Sequence, residues 1–165
     1  MEFIERLKKV VDSGILSEGL SDISKQNATQ NMIDKEEECL PRKLSHYHRK
    51  FLETWNGSNF DFIRVYGVGK TENEFIKSLC NEHKEWEEII EEVEKESIFF
   101  ADDISGFMYF ELKDFTIVQL DTDGGGIEKV ADDMNDFFLN FVFGKRAYEY
   151  AGDDWLQELV DAKII

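Results

Sequence analysis

In residues 98–121, IFFADDISGFMYFELKDFTIVQLD, three short apolar runs are separated by turn signals. The runs are Ile98 to Ala101, Phe107 to Leu112 and Phe115 to Leu120, rich in Phe, Ile, Val, Tyr and Thr, which suit a pleated, half-buried surface. Asp102-Asp103-Ile104-Ser105-Gly106 reads as a turn, and Lys113-Asp114 leaves room only for a tight hairpin link. The pattern predicts a three-stranded antiparallel meander. In its last run Phe115, Ile117 and Gln119 point one way, and Thr116, Val118 and Leu120 the other. Apolar residues on both faces mark a central strand covered on both sides, with helices elsewhere as the cover.

Outside this stretch the apolar period is mostly helical. Phe3, Ile4, Leu7, Val10 and Val11 predict a helix over residues 2–13, stopped at Gly14. Residues 15–28 read as a loop, and residues 29–38 as a second helix anchored by Met32 and Ile33. Pro41 suits a helix start, and Leu44, Tyr47, Phe51, Leu52 and Trp55 then form the buried stripe of a helix over 41–55. Its other face carries Arg42, Lys43, His46, Arg49 and Lys50, a solvated face or an internal counter-charge. Residues 60–68, FDFIRVYGV, read as one strand. Thr71 and Glu74 resemble a capping box for a segment burying Phe75, Ile76 and Leu79. An acidic helix is expected over 84–96, with Trp86, Ile89, Ile90 and Val93 inward. Asp121 to Gly126 reads as a flexible loop before a helix over 127–143. That helix would bury Val130, Met134, Phe137, Phe138 and Phe141, and end at Gly144. Asp153-Asp154 would begin a last helix with Trp155, Leu156, Leu159 and Val160 inward.

Composition narrows the class. A chain of 165 residues with 42% apolar content and 14 Phe can bury one real core, so residues 1–165 are expected as a single domain. No stretch approaches the ~20 apolar residues of a membrane span, and the N-terminus has a helical pattern rather than that of a signal peptide. Cys39 and Cys80 are expected as buried or partly buried free thiols in a reducing cytoplasm, with a structural bridge as the minor alternative.

Charge is uneven. Residues 1–84 hold 14 acids against 13 Lys or Arg, whereas 85–165 hold 22 acids against 6, within a net charge of −17. Such a surface disfavours phosphate backbones and favours a basic partner. It also serves solubility.

Motifs for chemistry are weak. Gly67-Val68-Gly69-Lys70-Thr71 resembles the end of a phosphate-binding loop, but the motif requires glycine where Arg64 stands. Asp121, Asp123 and Gly126 partly fit a calcium loop, whose last ligand would be Asp132 in place of glutamate. His46, His48 and His83 have no partners at zinc spacing, and no G-x-S-x-G elbow is present. The expectation is a protein that is not an enzyme and has no metal or cofactor.

Residues 28–57 resemble the opening of the SUKH superfamily: acids Glu36 to Glu38, then Leu40-Pro41, Tyr47, Phe51-Leu52 and Asn56-Gly57. Phe100-Ala101, Asp103, Gly106, Tyr109 and Phe110 resemble the family's strand pair, and Val130-Ala131, Met134 and Phe137 to Leu139 its following helix. The resemblance implies an α+β fold with a mostly antiparallel sheet wrapped by helices. It also implies an immunity protein that binds and neutralises a cognate bacterial toxin domain, often a nuclease. The alternative is a non-catalytic regulatory scaffold for a cellular protein, as in fungal relatives. Combined with the charge, this points to Asp102, Asp103, Asp121, Asp123, Asp132 and Asp133 as the partner-binding surface, around one end of the sheet. Tyr109 and Trp55 are candidate anchors or core residues. The protein is expected in the cytoplasm, as a monomer or weak homodimer, away from membranes and without direct nucleic-acid contact.

Overall fold

The computed structural model describes residues 2–17, 22–24, 26–71 and 75–165. Among these residues, seven strands form one antiparallel sheet whose spatial order is the chain order. They are β1 (Asp22–Ile23), β2 (Ser58–Phe60), β3 (Ile63–Val65), β4 (Ile98–Asp103), β5 (Phe107–Glu111), β6 (Ile117–Asp121) and β7 (Ile127–Ala131). Around them lie α1 (Phe3–Ser13), α2 (Gln30–Glu37), α3 (His46–Thr54), α4 (Leu79–Glu85) and α5 (Glu87–Val93). Then come α6 (Met134–Asp136), which runs directly into a π-helical segment (Phe137–Val142), α7 (Ala147–Ala151) and α8 (Asp153–Asp161). This is the α+β fold that the sequence implied.

The two sheet faces have different cover. On one, Phe100 meets His48 of α3 and Phe137 of the π-helical segment, at ring separations of 5.8 and 5.5 Å. Tyr109 meets Phe137 and Phe141 on the same side. Behind them Phe138 stacks between Phe3 of α1 and Phe51 of α3, 5.5 Å from each. On the other face Phe99 packs against Tyr66 and Phe110, and α4 lies over β4. Within β6, Ile117 and Val118 are both buried, so this strand is covered on both faces, but it starts at Ile117 and not at Phe115, which adopts φ 74° and lies exposed in a turn longer than Lys113-Asp114.

Helix α1 ends as expected, with Gly14 at φ 74°, the left-handed stop. Several other elements differ from expectation, each for a local reason. The run 60–68 is two strands, because Asp61 adopts φ 60° and Phe62 N donates to Phe60 O at 2.8 Å, making a hairpin. Helix α3 starts at His46 and not at Pro41, because Ser45 Oγ accepts from His48 N at 3.2 Å and so caps the helix there. The acidic helix breaks at Trp86, whose ψ is 20°. Glu74 of the expected capping box lies outside the described residues; α4 is capped instead by Ser78. Phe75 is exposed, whereas Ile76 and Leu79 are buried.

Residues 127–143 are not one helix. Ile127–Ala131 pairs with β6, Ala131 opposite Ile117 and Ile127 opposite Leu120. The helix begins only after Asp133, whose carboxylate accepts from Asp136 N at 2.8 Å. The wider π turn then buries Phe137, Phe138, Phe141 and Val142 together. Gly144 follows because a Cβ there would collide with the Leu139 carbonyl. Helix α8 begins at Asp153, with Trp155 and Leu159 buried but Val160 exposed.

Cys39 and Cys80 are joined as a disulfide, not free. Glu36 brings their segments together: its Oε1 accepts from Ser78 Oγ at 2.9 Å and from Cys80 N at 3.0 Å. Its Oε2 accepts from Gly69 N at 3.1 Å. The two cysteine Cα atoms are thereby 6.0 Å apart, within bridging range.

Candidate functional site

An antiparallel meander sends alternate turns to the same end of the sheet. The β2–β3, β4–β5 and β6–β7 turns therefore share one end, carrying Asp61, Asp102, Asp103, Asp121 and Asp123. Thr122 Oγ1 donates to Gly106 O at 2.8 Å, tying two of these turns together. Gly152, just before Asp153-Asp154 of α8, borders the same end through a hollow shared with Asp103 and Ile104. Asp132 and Asp133 are not here. Because 127–131 is a strand, β7 carries the chain back, and these two acids follow Ala131 at the opposite end. The expected six-acid cluster is thus four plus two.

The acids at this end are held in place. Arg64 forks onto Asp102, Nε to Oδ1 at 2.9 Å and Nη2 to Oδ2 at 2.6 Å. Asp103 Oδ1 accepts from Ser105 N at 2.9 Å and Phe107 N at 3.1 Å, and its Oδ2 accepts from Tyr109 Oη at 2.7 Å. Gln119 Nε2 in turn donates to Tyr109 Oη at 2.9 Å. Burial pushes the Asp103 carboxyl up, and the Tyr109, Phe107 and Ser105 donors oppose that rise. Tyr109 is 0% exposed and Trp55 only 8%, so both belong to the core. Tyr109 reaches the surface only through the carboxylate that it orients.

Ile104 and Trp86 are exposed apolar residues beside Asp103, and periodicity does not reveal either; Ile127, at the start of β7, is exposed at the same end. Ile104, at the tip of the β4–β5 turn, is 74% exposed, its N–H donating to Phe62 O at 3.0 Å. An isolated isoleucine inside an Asp-Asp-Ile-Ser-Gly turn is the only hint the sequence offers. Trp86 is 37% exposed, although its spacing placed it on an inner face. Its Nε1 donates to Glu82 Oε2 at 3.2 Å, which fixes the indole. Hollows flank Ile104 on two sides, of about 180 and 340 Å³. A third, of about 410 Å³, lies beyond Asp103 and is walled by Trp86 and Ile89.

The weak chemical motifs have structural roles. Val68 N donates to Asn56 Oδ1 at 2.8 Å, and Gly69 N to Glu36 Oε2 at 3.1 Å, so these two N–H groups serve the fold rather than a phosphate. Asp121 Oδ1 accepts from Asp123 N at 2.9 Å, as in a hairpin turn. His48 is wholly buried and its pKa falls to about 3, first through burial and then through the nearby Arg42 charge. Among the described residues no three His, Cys, Asp or Glu side chains converge to hold a metal ion. Among them, too, no helix is long and apolar enough to cross a membrane.

Among the described residues, a seven-stranded meander wrapped by helices makes an α+β fold, with an acid-lined end that bears fixed apolar side chains. Residues 27–140, more than half of the chain, match the SMI1 / KNR4 family (SUKH-1), and the chain belongs to that family. The family is known for immunity proteins and is generally non-catalytic. No curated protein matches the chain.

Proposed function

We propose that this protein is an immunity protein that binds a cognate bacterial toxin domain in the cytoplasm and neutralises it by contact, without catalysis. The observation that carries the reading is Ile104, 74% exposed at the tip of a turn whose two preceding acids are already fixed by Arg64 and Tyr109. An exposed apolar side chain on a rigid turn is a natural anchor, and ordered neighbours lose little freedom on binding. The carboxylates around it, within a net charge of −17, attract a basic partner and speed encounter. A toxin nuclease fits, since gripping phosphates requires Lys and Arg around its active site. The contact is with Asp102, Asp103, Asp121 and Asp123, and excludes Asp132 and Asp133 at the far end. The protein acts as a monomer or weak homodimer.

Co-expression with the toxin encoded by the neighbouring reading frame tests this. The wild-type chain should rescue growth, and Ile104→Asp should weaken toxin binding by about tenfold or more, as loss of an interface anchor does. Asp132→Asn with Asp133→Asn should bind as wild type. No rescue by the wild-type chain, or full binding by Ile104→Asp, would overturn the proposal.

A further inference from the structure

The groove of about 410 Å³ beside the β4–β5 turn has a composition that the Ile104 tip lacks. It is lined by Ile89 and Trp86, with the buried Phe99 and Met108 at its floor, and its polar edge includes Glu82 and Asp103. Trp86 stands over it with its indole fixed by the Glu82 bond. The residues next to Trp86 in the chain, Glu85, Glu87 and Glu88, are all exposed. Lys77, which also lines the groove, is turned toward Glu82 at 3.5 Å. Among the described residues the ring–cation pairs are Arg42 over Phe115 and Arg146 over Phe141, so the Trp86 face carries no cation of its own chain.

We infer that this groove receives an arginine side chain of a basic protein partner, stacked on Trp86. Tryptophan is the best aromatic receptor for a cation. A guanidinium is planar, weakly hydrated and stacks on rings, whereas an ammonium is a strongly hydrated point charge. The aliphatic stem of arginine covers Ile89 while its head faces Asp103 and the carboxylate of Glu82, which it shares with Lys77. A second copy of this chain, at net charge −17, would bring like charge to the groove. The inference deepens the immunity reading, on which it rests for the existence of a basic partner.

The test is a nitrogen–proton NMR titration of the whole chain with acetyl-arginine methylamide at physiological salt. The chain has three tryptophans, and the Trp86 indole signal is assigned by its loss in Trp86→Phe. That signal should move while those of Trp55 and Trp155 stay. Acetyl-lysine methylamide should bind about threefold or more weakly, and the neutral citrulline analogue should leave the signal still. Glu82→Gln, which keeps an acceptor for the indole, should weaken arginine binding severalfold while retaining the fold, whereas Asp132→Asn, at the opposite end of the sheet, should leave it unchanged. Equal shifts for arginine, lysine and citrulline would overturn the inference. So would a Trp86 signal that moves with protein concentration alone, which would assign the groove to a second copy. Loss of toxin rescue with arginine binding intact would sink the immunity reading but not the groove. Rescue without arginine binding would do the reverse.

Discussion

Arg42 closes over Glu111 at the end of the sheet opposite Ile104. Glu111 is wholly buried, and both terminal nitrogens of Arg42 lie 3.2 Å from its Oε1. Arg42 also donates to the main-chain oxygens of Glu96, Glu111 and Leu112, at 2.8–2.9 Å. Ser45 Oγ donates to Glu111 Oε2 at 2.7 Å. One guanidinium thus joins the segment before α3 to the ends of β4 and β5, and is an internal counter-charge rather than part of a solvated face.

Removing that cation should be costly. Arg42→Met leaves a buried carboxylate without its partner, and a loss of about 3–5 kcal/mol in urea unfolding is expected at neutral pH. Burial pushes the Glu111 carboxyl up even in the wild type, with Ser45 and Arg42 opposing it. A carboxyl whose folded pKa is raised favours the fold below its unfolded pKa, and that contribution is lost as pH rises through the folded value. Without Arg42 the folded value rises further, so the deficit should be larger at pH 7.5 than at pH 4.5. A deficit that does not vary with pH would show that Glu111 is not the group responsible.

His48 produces the opposite slope. Its pKa falls from 6.5 to about 3 in the fold, and neither ring nitrogen has a hydrogen-bond partner. The unfolded chain binds a proton that the folded chain refuses, so this stability is present above pH 6.5 and is lost as pH falls toward 3. His48→Leu should match the wild type near pH 7 and exceed it by about 3 kcal/mol at pH 4. Parallel acid titrations of the two proteins would refute this.

Gly67 has no room for a side chain. A Cβ there would lie 2.5 Å from the Asn56 carbonyl oxygen, and that backbone is fixed because Asn56 bonds Val68 through both its donor and its acceptor. Gly67→Ala should therefore lose about 2–4 kcal/mol. Gly126→Ala, where nothing lies within 4 Å, should change stability by less than about 0.5 kcal/mol. Thermal melts of the pair separate a packing demand from the ordinary cost of mutation.

The Cys39–Cys80 bond closes a loop with a sequence separation of 41. Replacing both by serine should lower stability by about 2–4 kcal/mol, and the Glu36 bonds should keep the segments together. Thiol titration of the unfolded, unreduced chain should find no free thiol, and two after a dithiol reductant. Two free thiols without reductant would contradict the bond.

The central meander was legible because Phe107 to Leu120 carry their own alternation and their own turns. Helix α1 was legible because one apolar face and a left-handed glycine define it locally. Strand β7 was not, since Ile127, Val130, Ala131, Met134 and Phe137 also satisfy a helical spacing, and only pairing with β6 decides between the two. The hairpin at Asp61 was hidden because no glycine marks its positive φ. The disulfide depends on a meeting of distant segments at Glu36, which no local pattern records. At the candidate site, the acids of the β4–β5 and β6–β7 turns were readable as turn residues. Ile104 and Trp86 were not, because periodicity assigns apolar residues to the interior.

The chain-order sheet carries a kinetic consequence. Each strand pairs with its immediate predecessor, and the β2–β3, β4–β5, β5–β6 and β6–β7 links are short, so these pairings cost little chain entropy, whereas helices intervene before β2 and before β4. The contacts of α1 reach furthest: Phe3 N donates to Asn135 Oδ1 at 3.0 Å and Arg6 to Phe143 O at 2.6 Å, from across nearly the whole length of the chain. A first helix whose partners lie in the last Phe-rich segment is expected to dock late. Substitutions at Phe3 are therefore expected to speed unfolding while leaving the refolding rate nearly unchanged.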